Sequence, residues 1–444
     1  MPPVTDSHPS DHSILIPRDQ HTISRRNISI NALKVMQRLN QCDYQAYLVG
    51  GAVRDMMLGK LPKDFDVATN ATPEQIRKIF KNSRIIGRRF RIVHIRFGRE
   101  IIEVTTFRGN HDNADENDKH QSSANDHGML LRDNVFGTVE EDALRRDFTV
   151  NAFYYSSENF AVYDFADGLH DIEQKKIRLI GDPSTRYKED PVRMLRAIRF
   201  CAKLDFTLED KTEKAISENA DLLAKIPAAR LFDESLKIFI SGQGQASYEL
   251  LEQYDLTQYL IANHKLFSDD PVWSKFLLLA LSNTDKRLAS GKSITPAFLY
   301  AVFLWPSLKE QMAIFESEGM PQTPALHAAA NQVIAAQMLR TSIPKRFQVN
   351  IKEMWEMQLR LPRNQGNRAF KLLEHPRFRA AYDFLLLREE AGEIEAGLGD
   401  WWTEFQKENP APSKPAFERR HTNNSDDPSL RRRPHKRKPR NGNR

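Results

Sequence analysis

The sequence predicts an α+β chain: a compact head of short strands and helices, an all-helical region, and an unstructured basic tail. Three observations predict it. Strand-like and helical segments alternate between Tyr47 and Thr106. From about Pro191 to about Phe405 helical periodicity dominates, with no convincing strand. The last stretch, Arg431–Arg444, carries eight Lys or Arg and no acid.

Taken in order, residues 1–28 are rich in Pro, Ser, His and Asp and predict disorder. Ala32, Val35, Met36 and Leu39 fall on one face of a helix over Asn31–Leu39. The alternating segments that follow are Tyr47–Val49, Ala52–Leu58, Phe65–Ala68, Pro73–Phe80, Ile92–Phe97 and Ile101–Thr106. The head they form spans 29–175, and a polar loop, 109–128, interrupts it. Helical segments over 176–245 and 246–405 come next, then a disordered tail over 406–444.

Composition narrows the class. The chain has 444 residues, 40% hydrophobic and 28% charged, enough for two or three domains with a real core. No apolar run approaches the ~20 residues a membrane helix needs, and MPPVTDSHPSDHS does not read as a signal peptide. Two distant cysteines, Cys42 and Cys201, argue against a disulfide framework or a thiolate metal site, and for the cytoplasm. The net charge is +6, which the eight cations of the tail exceed, so the chain upstream is slightly acidic. Within that tail Arg431, Arg432, Arg433, Lys436, Arg437 and Lys438 form a footprint for a phosphate backbone.

Two constellations carry chemistry. In the first, Tyr47–Asp55 reads strand, Gly50-Gly51 turn, helix, and the glycines let the backbone approach a triphosphate closely. Arg54, one turn into the helix, serves either the phosphates or the fold. Thirteen residues after Gly51 come Asp64 and Asp66, spaced to share one face of a strand with Phe65 toward the core. Two such carboxylates repel unless a cation lies between them, and Mg²⁺ (or Mn²⁺) suits them. A third carboxylate is either Glu103, alternating with apolar neighbours, or Asp147, in the polar knot Arg145–Asn151. In the second, Asp190 caps a helix that begins at Pro191, and Arg193, Arg196, Arg199 and Lys203 fall within ~120° of its circumference. Such guanidinium forks suit phosphates and base edges.

Together LVGGAVRD (48–55), DFDVAT (64–69), RRDFTVNA (145–152) and GDPSTRYKEDPVRMLRAIRF (181–200) resemble the class II nucleotidyltransferases of the polymerase β superfamily, with weaker similarity through LFDESLKIF (231–239). That family includes tRNA CCA-adding enzymes and bacterial poly(A) polymerases. The resemblance implies a polymerase β-like head with a small mixed or antiparallel sheet, then helical neck, body and RNA-binding segments. It implies metal binding at Asp64 and Asp66, an active-site role for Asp147, nucleotide contacts from Arg146 and Asn151, and base recognition by Asp190 and Arg193. The stretch Ile85–Ile92, the insertion leading to Gly128–Asn134 and the Arg-rich terminus resemble the poly(A) branch. The expected activity is therefore template-independent addition of adenylate from ATP to RNA 3′ ends, with RNA-decay or RNA-chaperone proteins as candidate partners. CCA addition to tRNA is the alternative, and a non-catalytic RNA-binding protein the rival from another class.

Overall fold

A computed structural model gives the fold and describes residues 14–87, 91–109, 122–124, 130–133 and 135–410. The Arg/Lys-rich tail and much of the insertion lie outside the described residues.

The N-terminal expectation needs correction. Residues 14–28 are structured: β1 (Ile14–Ile16) adds to a sheet edge, and two short 3₁₀ turns lead into α1 (Ile30–Asn40). Ser29 caps α1 by accepting from the Asn31 and Ala32 amides, and Ala32, Val35, Met36 and Leu39 are its buried face. Next come β2 (Ala46–Val49), α2 (Gly51–Met57), β3 (Asp66–Thr69), α3 (Pro73–Ile79), β4 (Ser83–Ile86), β5 (Ile92–Phe97) and β6 (Glu100–Thr106). A Thr72/Gln75 capping box and Pro73 start α3.

The insertion is not a bare loop. Within it β7 (Ser122–Ala124) pairs antiparallel with β8 (Leu130–Asp133). Its base is pinched: the Gly109 amide donates to Val135 O (2.9 Å) and the Gly137 amide to Phe107 O (3.0 Å). A Cβ on Gly137 would collide with Gly109 Cα and the Glu141 carboxylate. Past this neck lie α4 (Val139–Leu144), β9 (Phe153–Ser156), β10 (Val162–Asp164) and α5 (Gly168–Glu173).

The eight-stranded sheet runs β1-β10-β9-β2-β3-β6-β5-β4. Every pair is antiparallel except β3 and β6, which run parallel and set Asp66 opposite Glu103. Alternation divides its faces. Leu48, Val67, Val93, Ile95, Ile102 and Val104 pack under α1 and α3 in one core. Val49, Ala68, Phe107, Ala143, Tyr154 and Phe165 form a thinner cluster on the other face. Asp66 and Glu103 share that thinner side by parity, which is why two carboxylates can stand at the sheet without entering the main core.

The helical part begins with β11 (Lys176–Ile177), α6 (Pro183–Glu189) and α7 (Val192–Leu204). Contrary to the strandless expectation, β12 (Thr207–Leu208) pairs parallel with β11. Then follow α8 (Asp210–Asn219), α9 (Ala228–Phe239), α10 (Gly244–Gln253), α11 (Lys265–Asp269), α12 (Pro271–Ala289) and α13 (Pro296–Phe303). Six more complete the described chain: α14 (Trp305–Ser317), α15 (Gln322–Met338), α16 (Lys345–Arg360), α17 (Asn367–Leu373), α18 (Phe378–Ala391) and α19 (Leu398–Glu408). One apolar core runs from Phe148 and Val150 through α7 and α9 to Trp305, Trp355 and Phe384. A smaller one gathers Met357, Leu361, Phe378 and Trp402.

Gly137→Ala should destabilise the head by about 1–3 kcal/mol, because the backbone crossing at Gly109 has no room to yield. Thermal unfolding measures it; an unchanged midpoint would show that the neck is looser than drawn.

Candidate active site

The Gly-Gly turn is built as the sequence requires. Gly50 has φ +67° and ψ −131°, a conformation that only glycine adopts freely, and it starts α2 without a side-chain cap. Arg146 lies against it: a Cβ at Gly50 would stand 3.1 Å from the Arg146 guanidinium. Arg146 is held by the Tyr154 hydroxyl (2.7 Å) and Asp142 (3.3 Å), and its ring partner is Tyr154.

Asp66 opens β3, half-buried, while Asp64 stands exposed two residues earlier, ahead of the strand, and Phe65 packs on the main core. Burial, the neighbouring Glu103 and Asp64 push the Asp66 carboxyl up to about 6, and Arg146 only partly offsets them. Glu103 in turn bonds His94 across the β5–β6 ladder (3.0 Å). Among the described residues no three His, Cys, Asp or Glu side chains are arranged to hold a metal alone. The donor set still fits a hard divalent cation: three carboxylates crowd one another, and substrate phosphates commonly complete such a site.

Asp147 belongs elsewhere, so of the two candidate third carboxylates it is Glu103 that stands beside Asp66. It is gripped by Arg196 (Nε 2.8 Å, Nη2 2.5 Å), by Asn151 Nδ2 (3.1 Å) and by the Phe148 amide (2.9 Å). Burial alone would raise its carboxyl, but Arg196 and these hydrogen bonds outweigh it and hold the group well below the usual carboxylate range. From Asp147 a chain of contacts runs through Asn151 to Arg54 (2.5 Å), to Asp55 (2.5 Å) and to Lys203 on α7 (3.3 Å). Arg54 is only 2% exposed and gives its guanidinium to Asn151 and Asp55, which favours the fold among its two expected roles. Asn151, also buried, braces both Asp147 and Arg54.

On α7 the expected arc of cations exists, and each member has a carboxylate partner. Arg193 pairs with Glu189 (2.9 Å), Arg196 with Asp147, Arg199 with Glu234 (3.1 Å) and Lys203 with Asp55. The ring of Phe200 lies under Arg54, Arg196 and Arg199 at 4.7–5.6 Å. The capping expectation shifts by one residue: Pro191 is the N-cap of α7 and no side chain caps it, while Asp190, just ahead, accepts from the Val192 amide through Oδ1 (3.3 Å) and takes Arg230 on Oδ2 (2.6 Å).

The sequence reading missed Asp142, Tyr154, Arg186, Arg230 and Glu234. Arg186 clamps the polar knot by donating to the Arg145 (2.7 Å) and Arg146 (2.6 Å) carbonyls. The signal available for Glu234 was an acid on the buried face of an otherwise amphipathic α9, four residues after Arg230.

The head, its carboxylate pair and the Arg-bearing helix define a nucleotidyltransferase. Three family models match: "Poly A polymerase head domain" over residues 46–178, "Probable RNA and SrmB- binding site of polymerase A" over 205–266, and "Polymerase A arginine-rich C-terminus" over 318–441. The poly(A) polymerase I of Salmonella typhimurium is 48% identical over 97% of this chain and 93% of its own length. A CCA-adding enzyme of Lactobacillus gasseri is 37% identical over 51% of this chain and 54% of its own length. A crystal structure of a tRNA nucleotidyltransferase with a primer tRNA and an incoming ATP analogue shares the fold, with TM-score 0.55, 21% identity, 84% of this chain and 98% of that one. The chain belongs to the bacterial poly(A) polymerase family.

Two titrations separate the aspartates. Asp147 has a native pKa below its unfolded value, so its stabilisation is present above ~4 and lost as pH falls through the native value. Asp147→Asn should then cost about 3 kcal/mol near pH 7, a deficit that shrinks toward pH 3 in urea unfolding. Asp66 has the opposite sign: its native pKa of about 6 exceeds the ordinary 3.8, so stability falls as pH rises through that window. In chelator, Asp66→Asn should therefore melt above the wild type at pH 8 and level with it near pH 4. Adding Mg²⁺ should reverse the order by stabilising only the wild type; identical curves throughout would refute the crowded-carboxylate account.

Proposed function

We infer that this chain is a polynucleotide adenylyltransferase that adds AMP from ATP to RNA 3′ ends without a template. The observation that carries the reading is the carboxylate group Asp64, Asp66 and Glu103 beside the Gly50–Gly51 turn and Arg146. The RNA 3′-oxygen attacks the α-phosphorus of ATP, a new O–P bond forms, the bond to the β-phosphate oxygen breaks, and pyrophosphate leaves. Asp64 and Asp66, with Glu103 beside them, would hold Mg²⁺ or Mn²⁺, which when bound acidifies the 3′-hydroxyl and neutralises phosphate charge.

The chain's own residues position the reactants. Gly50 keeps the backbone turn open, Gly51 begins the helix behind it, and Arg146 offers a guanidinium fixed by Tyr154 and Asp142. Arg193 gives Nη1 to Glu189 and the Arg186 carbonyl, and its remaining donors, with Asp190, would read the base. Asp147 acts as a positioning residue: it fixes Arg196 and, through Asn151, Arg54. Arg199, paired with Glu234, completes that wall. Catalysis then comes mainly from placement and preorganised charge.

Poly(A) addition is preferred over CCA addition because the poly(A) relative aligns along nearly the whole chain and the CCA-adding relative along half of it. Arg431, Arg432, Arg433, Lys436, Arg437 and Lys438 would hold RNA of any sequence by its phosphates. Among the described residues no helix is long and apolar enough to cross a membrane, and both cysteines are free, consistent with work in the cytoplasm.

Extension assays with Mg²⁺ test the reading. ATP should give long tails on generic RNA, CTP should not, and Asp64→Ala should lower the rate by at least ~10³-fold with the fold intact. Addition restricted to tRNA and ending after CCA would identify the relative instead.

A further inference from the structure

Far along the chain from the carboxylates, the helical body carries a cleft of about 810 Å³ between α12, α13, α16 and α18. Its volume lies in the ~300–1,000 Å³ range of sites that enclose a nucleotide-sized molecule. The catalytic residues do not line it, and it falls outside the stretch 205–266 matched to RNA binding.

The walls have a consistent division. Phe298 and Met354 belong to the apolar floor, and Phe298 is half-buried with its ring edge against Phe384 (6.2 Å). Around the mouth stand five cations, Lys286, Arg287, Lys292, Arg377 and Arg379, against two acids, Asp383 and Glu390. Arg379 pairs with Asp383 (3.0 Å), and Arg377 reaches Glu353 (3.1 Å) beyond the lining. Arg287 donates to the Ser293 carbonyl (3.1 Å), which ties the lip between α12 and α13 to the wall. Lys286 and Lys292 are exposed on that lip. A positive mouth over an apolar, aromatic-bearing floor matches a strand of phosphates with unstacked bases. The charge also excludes the chain's own C-terminus as occupant, since Arg431–Arg444 carries only cations.

We propose that this cleft is a second RNA site: it takes single-stranded RNA upstream of the 3′ end, with phosphates at Lys286, Arg287 and Lys292 and a base against Phe298. The choice of polymer rests on the RNA-extending function proposed above. The site gives the enzyme a hold on the body of a growing tail, separate from the groups that join nucleotides.

The test compares the full-length protein with K286Q/K292Q, two exposed positions outside the catalytic and nucleotide-binding groups, after confirming equal melting temperatures. Binding of long oligo(A) is measured against salt, and extension of a primer of a few nucleotides is measured alongside. Loss of two phosphate contacts should weaken long-RNA binding on the order of tenfold and lower the log–log salt slope by about 1.4. The kcat/KM on the short primer should not change. Equal affinity and slope for long RNA would overturn the proposal, as would an equal loss on short and long RNA. A wild type that binds long RNA with the predicted sensitivity yet extends no primer would sustain the cleft and overturn the transferase reading instead.

Discussion

The arrangement of the site hangs on one half-buried ion pair, Asp147 with Arg196. Asp147 comes from the polar knot that follows α4, and Arg196 from the middle of α7, so the pair joins the sheet-bearing head to the first long helix of the neck. One satellite repeats the join: Lys203 reaches Asp55 from two turns further along α7, while Arg54, bonded to Asn151 and Asp55 within the head, braces that acid. Phe200 fills the space between, its ring shared by three guanidinium groups. The two carboxylates, Asp147 and Asp55, are the sheltered members, and a sheltered charge is tolerable only when paired. The seam thus fixes the angle of α7, and with it the direction of Arg193, Arg196 and Arg199.

A second constraint comes from strand direction. In a sheet otherwise antiparallel, the parallel pairing of β3 with β6 brings the start of one strand beside the early part of the other. That is how Asp66 meets Glu103, although they lie far apart in sequence. The connection between those strands carries α3 and two further strands, as a parallel crossover requires. Parity then keeps both acids off the face packed by α1 and α3.

Local chemistry made much of this legible. Gly50, the buried face of α1 and the start of α7 near Pro191 follow from rules that act within a few residues, whereas Asp64 falls ahead of β3 instead of sharing its face with Asp66. What stayed hidden depends on long-range pairing. Ile14–Ile16 becomes a strand only because Val162–Asp164 offers an edge, so its polar flanks predicted disorder instead. Arg54 stayed open between the phosphates and the fold because spacing does not reveal burial. Arg230 and Glu234 acquire meaning only when α9 packs beside α7 and presents them to Asp190 and Arg199. Asp190 and Arg199 are thus braced by a helix whose sequence offers one clue, an acid on an apolar face.

The contrast between Asp66 and Asp147 carries the functional argument further than either alone. Both are shielded from water, and burial pushes both carboxyls upward. Their neighbours differ in sign. Asp147 is surrounded by donors and one guanidinium that it fully occupies, so its charge is spent on the fold. Asp66 faces Glu103 and Asp64, with Arg146 as partial relief, so its charge is opposed by the protein itself. A folded chain retains such repulsion at a cost in stability, and the cost is recovered only when something positive binds. Opposed environments for two aspartates therefore divide the labour: one carboxylate holds the scaffold, and the other carries a charge that the protein leaves largely uncompensated.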